Sequence, residues 1–137
     1  MKKEYRIKKN EDFQTIIKDK KSVANRKFVI YYKVNDCHLK VGISVSKKLG
    51  NAVVRNKTKR QVRMMVHDVF DKTQKMDFIV IVRNKFLESS YKDNIEDLKY
   101  LYDKINVFRS TYEEIFKSVC SSSIRFRPHR MWTKLRC

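Results

Sequence analysis

Ser44-Val-Ser-Lys-Lys-Leu-Gly-Asn-Ala-Val-Val-Arg-Asn-Lys-Thr-Lys-Arg-Gln-Val-Arg63 changes character twice within 20 residues. It opens as the end of an alternating strand, breaks at Gly50-Asn51, and continues as a helix. It carries Lys47, Lys48, Arg55, Lys57, Lys59, Arg60 and Arg63, and no acidic residue occurs anywhere between Asp36 and Asp68. A solvated helix normally mixes its charges in i,i+4 pairs, because opposite charges help and like charges repel. A segment that accepts this self-repulsion calls for a polyanion to neutralise it.

The strand upstream, Leu39-Lys-Val-Gly-Ile-Ser-Val45, has period two. Leu39, Val41, Ile43 and Val45 point to one face, and Lys40, Gly42, Ser44 and Ser46 to the other. The second face is small, polar and positive, which suits close approach of a polynucleotide backbone. Downstream, Ala52 to about Phe70 reads as a helix. Thr58, Val62, Met65, Val66 and Val69 form its apolar stripe. Arg55, Lys59 and Arg63 share another face at i, i+4 and i+8, with Asn56 and Arg60 beside them. A helix lying between a core and an RNA needs this segregation.

Further out, Asn10 is placed to cap a helix from Glu11 to about Lys20 whose apolar stripe is Phe13, Ile16 and Ile17. Lys27 to Val34 reads as a strand with Phe28, Ile30, Tyr32 and Val34 on one face and Val29, Tyr31 and Lys33 on the other. Asn35-Asp36 marks a turn. Asp77-Phe-Ile-Val-Ile-Val82 is an interior strand covered on both faces, with the composition of a parallel one. Ser90 and Asp93 resemble a capping box before a helix with the stripe Ile95, Leu98, Leu101, Tyr102 and Ile105. A separate helix capped near Ser110 would carry Ile115, Phe116 and Val119, followed by a basic, poorly ordered tail from Ile124. The expected fold is an α/β (α+β) sandwich. It has a single mixed sheet of three to four strands packed with helices, in the order α-β-β-(β)-α-β-α.

The whole chain has 137 residues, 33 Lys and Arg against 15 Asp and Glu, and a formal charge of +18. That length suits one domain, and that charge makes nucleic acid the leading partner. The longest apolar run, Phe78 to Val82, falls far short of the roughly 20 residues a membrane span needs. No membrane partner is expected, and the N-terminus shows no signal peptide. Cys37, Cys120 and Cys137 are odd in number and lack metal-ligand spacing, so a reducing cytoplasm is expected and no bound metal. His38, His67 and His129 are scattered, Asp68 and Asp71 make no convincing metal set with His67, and two glycines cannot build a phosphate loop. No catalytic constellation is therefore assigned. Phe13, Ile17 and Tyr31 stay open between two readings: core packing, or aromatic and apolar platforms for a single strand beside Lys33 and Lys40.

Ser44-Val-Ser-Lys-Lys-x-Gly-Asn-Ala-Val-x-Arg-Asn-x-x-Lys-Arg-x-x-Arg63 resembles the signature of the bacterial ribonuclease P protein subunit. Lys8 to Gln14, Ser22 to Val29 and Asp77 to Arg83 extend the resemblance over about the first 108 residues. Residues 109–137 form a basic C-terminal extension with no counterpart. The resemblance implies a small protein that joins a catalytic RNA, which removes the 5′ leader of precursor tRNA using Mg²⁺ held mainly by RNA. It implies no catalytic residue in the protein and no DNA partner. Lys47, Lys48, Asn51, Arg55, Asn56, Lys59, Arg60 and Arg63 would face the ribozyme, and Phe13, Ile17, Tyr31, Lys33 and Lys40 would line the leader cleft. It also implies a left-handed β-α-β crossover, against the general right-handed preference. Two positions depart from the family pattern: Ile17 replaces a common aromatic, and Lys20-Lys21 replaces a loop that often contains Gly. The alternative function is a ribosomal or general RNA-chaperone module.

Overall fold

The computed structural model describes residues 1–120. The elements are α1 (Asn10–Lys18), β1 (Ser22–Ala24), β2 (Phe28–Val34), β3 (Lys40–Val45), α2 (Ala52–Val69), β4 (Met76–Val82) and α3 (Tyr91–Cys120). One sheet runs in the order β1-β2-β4-β3. β1 and β4 pair antiparallel with β2, and β3 pairs parallel with β4. The mixed sheet and its flanking helices match the expected class.

β4 lies at the centre because its apolar run can be covered on both faces. Phe78, Ile79 and Val80 are fully buried. The parallel β3-α2-β4 unit places β4 between β2 and β3, so these two strands, although consecutive, do not pair. Tyr32, Phe78 and Val41 form one row across the sheet, and Ile30, Val80 and Ile43 the next. These rows belong to the main core, where Val62, Met65 and Val66 of α2 and Leu98, Leu101 and Ile105 of α3 pack against the sheet. Phe70 stacks on Tyr102 at 4.6 Å between ring centroids and meets Phe78 edge-on. The Tyr102 hydroxyl accepts from the Asp71 amide at 3.0 Å, which fixes the exit from α2.

α1 packs on the other face of the sheet, against β4 and β2. Ile16 is buried there, and Ile79 is the fully buried residue of β4 that points to this side.

The short optional strand is β1, which precedes the others. The Asn25 side chain sets the β1–β2 turn by accepting from the Lys27 and Phe28 amides at 2.8 and 2.7 Å. Three local expectations are corrected. Asn10 lies inside α1, and Lys9 takes the cap position without a side-chain bond. The chain leaves α1 through Lys20, whose φ of 54° is left-handed, so the helix ends two residues early. Residues 91–120 form one helix with no break near Ser110. Its start does match: the Asp93 amide donates to Ser90 Oγ at 3.3 Å. The basic tail from Ile124 lies outside the described residues.

Candidate nucleic-acid interface

Two surfaces carry the residues singled out from the sequence, one on α2 and one on the α1 side of the sheet. α2 begins where the chain turns sharply after β3. Gly50 has φ 141°, a conformation that side chains rarely adopt. Asn51 caps the helix, its Oδ1 accepting from the Val54 amide at 3.1 Å. Asn51, expected to face RNA, therefore has a structural task for that oxygen. Lys47 and Lys48 are exposed on a single 3-10 turn just before it, where Ser46 Oγ accepts from the Lys48 amide.

On α2, Thr58, Val62, Met65 and Val66 are buried, while Asn56 and Arg60 are exposed and Arg55, Lys59 and Arg63 are half-buried. The apolar and basic stripes thus separate as expected. Among the described residues, no carboxylate forms an ion pair with Lys47, Lys48, Arg55, Lys57, Lys59, Arg60 or Arg63. Partial burial pushes the Arg63 guanidinium below its ordinary value, and the nearby charges of Arg6 and Arg60 push the same way. Arg6 was not singled out from the sequence. It arrives because the N-terminal segment runs along the free side of β3, with the Ile7 amide donating to the Val41 carbonyl at 3.1 Å. A lone arginine 49 positions before Arg55 gives no spacing signal.

The second surface is formed by α1 and the sheet face beneath it. Lys33, Asp77 and Lys40 stand in one cross-strand row, and Tyr31, Ile79 and Gly42 in the next. The sheet therefore brings Tyr31, Lys33 and Lys40 to one face, and α1 presents Phe13 and Ile17 to it. All five are half-buried, so none is lost to the core. Gly42 is not open to a polynucleotide, contrary to expectation, because the Phe13 ring covers it. Lys33 pairs with Asp19 at 3.2 Å. Burial raises the Asp77 carboxyl above its ordinary value, and an Asn35 hydrogen bond with the charges of Lys40 and Lys33 opposes this only in part. Past Ile81 the face opens into a shallow depression of about 670 Å³ lined by Arg26, Ser46, Arg83 and Lys85. Among the described residues, no three His, Cys, Asp or Glu side chains gather into a set fit to hold a metal ion. Nor is any helix there long and apolar enough to cross a membrane.

The Ribonuclease P family model matches residues 1–106. The chain belongs to the ribonuclease P protein family. The ribonuclease P protein component of Streptococcus gordonii is 44% identical over 110 residues, 80% of this chain and 92% of the relative. That of Bacillus velezensis is 42% identical over 113 residues, 81% and 97% of the two chains. Among solved structures, the Staphylococcus aureus RNase P protein superposes with a TM-score of 0.69 at 44% identity. It covers 76% of this chain and 97% of its own. The Thermotoga maritima RNase P protein gives 0.62 at 33% identity, covering 70% and 93%. These relatives share the mixed sheet and its helices, so the β1-β2-β4-β3 frame carrying both surfaces is the fold of ribonuclease P proteins.

Proposed function

We propose that this ribonuclease P protein binds the catalytic RNA through α2 and the 5′ leader of precursor tRNA through the α1–sheet cleft. The carrying observation is the set of seven cations on and just before α2 with no carboxylate partner among the described residues. Arginine forks two donors onto phosphate or a base edge, and Asn56 can donate and accept toward a base or a ribose hydroxyl. Arg6 extends this surface beside Arg63. On the other face, Phe13, Ile17 and Tyr31 offer apolar platforms to an extended strand, with Lys33 and Lys40 for its phosphates. Arg26 and Arg83 continue the positive track.

In this reading the protein contributes no reacting group. It screens repulsion between the two RNAs and holds the leader, which brings the scissile phosphate to the ribozyme. The ribozyme cleaves it to leave the mature 5′ end, with Mg²⁺ held mainly by RNA. The assembly works in the cytoplasm. The test is reconstitution: the protein alone should leave precursor tRNA intact, and adding it to cognate RNase P RNA should stimulate leader removal at moderate Mg²⁺. Absence of stimulation would overturn the reading. A general RNA-chaperone would show no preference of the assembled particle for precursor over mature tRNA.

A further inference from the structure

The start of α3 packs beside α2 and leaves a cleft of about 270 Å³ that shares only Lys57 with the cationic surface of α2. Val54, Lys57 and Gln61 of α2 line one side, and Phe86, Ser89 and Asn94 the other. Asn94 is 3% exposed. Its Nδ2 donates to the Phe86 carbonyl at 3.2 Å, which fixes the amide's orientation. Its Oδ1 is buried and accepts no hydrogen bond from the described residues. Buried polar atoms are nearly always partnered, because the lost hydration is costly. The cleft therefore combines apolar walls with an acceptor suited to an N–H donor.

We propose that this cleft receives one unstacked base of the RNA that docks on α2, an inference that rests on the ribozyme-binding reading. Each RNA base offers a flat apolar face to Val54 and Phe86 and an N–H on its pairing edge to Asn94 Oδ1. Splayed-out bases are commonly recognised in this way. Charge places the occupant: Lys57 is on the rim, three residues before Arg60, so a nucleotide backbone crossing α2 meets a cation at the mouth. The cations of α2 would hold phosphates without regard to sequence, and the cleft would fix the register.

Two measurements test this. Ser89→Trp fills the cleft from its rim without removing a cation. Its affinity for cognate RNase P RNA should fall at least about fivefold, the lower end of the worth of one stacked base. Its salt dependence should match wild type, since no phosphate contact is lost. Circular dichroism and thermal unfolding establish that the variant is folded. Affinity within twofold of wild type would overturn the proposal, whereas failure of the wild-type chain to assemble would instead refute the ribozyme reading. The second measurement needs neither the variant nor the ribozyme. The full chain is titrated with millimolar AMP, CMP, GMP and UMP, and separately with inorganic phosphate, while backbone amide resonances are followed. Shifts at Gln61, Ser89 and Asn94 with a nucleotide but not with phosphate are expected. Shifts at the α2 cations alone, identical with phosphate, or no shifts at all, would overturn it.

Discussion

The ring of Phe13 lies directly on the backbone of Gly42: a Cβ placed there would stand 2.4 Å from Phe13 Cζ and 2.8 Å from Cε2. The glycine is thus required by α1 packing and not by an approaching RNA. Gly42→Ala should force the ring outward and destabilise the chain by about 1–3 kcal/mol, the usual cost of overpacking. Urea unfolding measures this. In Phe13→Ala/Gly42→Ala the clash is gone, so the double variant should lose less than the sum of the single variants. Additive losses would refute the contact.

Lys20 holds a φ of 54° at the exit from α1. The left-handed conformation costs a residue with a side chain about 1–2 kcal/mol. Glycine avoids that cost but gives up unfolded-chain entropy worth about 0.4–1 kcal/mol. Lys20→Gly should therefore stabilise the fold by roughly 0.5–1 kcal/mol. A shift of the urea midpoint to higher concentration at constant slope checks it.

Asp77 sits between Lys33 and Lys40, with its carboxyl raised above the ordinary 3.8 chiefly by burial. The folded state then holds this proton more tightly than the unfolded state does. Stability from this group is thus full at low pH and declines as pH rises from about the unfolded value through the raised one. Asp77→Asn keeps an acceptor for Asn35 and removes the buried charge. The variant should gain on wild type across that window, and the gap should close in acid. The lost negative charge should also tighten leader binding beside the two lysines. A variant less stable than wild type at neutral pH would show that the lysines, and not burial, dominate.

What the sequence revealed follows from the range of each signal. The buried stripe of α2 and the inward residues of β3 were legible because their periods are local properties of the chain. The central place of β4 was legible as burial on both faces, but the separation of β2 from β3 was not. Strand order is a choice among long-range pairings that no local pattern encodes. The same limit explains Gly42: alternation assigned its face correctly, yet could not say that Phe13 would cover it. The left-handed turn at Lys20 has no glycine to mark it, and only the family departure at Lys20-Lys21 pointed to that loop. At the candidate sites, the α2 cations could be read as one linear motif. Arg6 joins them only through pairing at the free edge of β3, and the unpartnered oxygen of Asn94 exists only once α3 packs beside α2.

Arg60 on α2 and Tyr31 on β2 belong to different surfaces, and two partners would therefore respond to them separately. Arg60→Ala removes an exposed cation and should weaken assembly with the catalytic RNA while lowering its salt dependence. If six to ten phosphates are neutralised, wild-type affinity should drop roughly 10³–10⁵ between about 50 and 200 mM salt, by analogy with duplex DNA. Removing one contact should reduce the slope by about one. Tyr31→Ala leaves every cation in place and loses one platform, worth about 1–3 kcal/mol if a base stacks on it. It should leave assembly and the salt slope unchanged and weaken the assembled particle's preference for precursor over mature tRNA. Filter binding at several salt concentrations, with each tRNA form in turn, separates the two effects. Equal losses from both variants in both assays would show that the surfaces do not act independently.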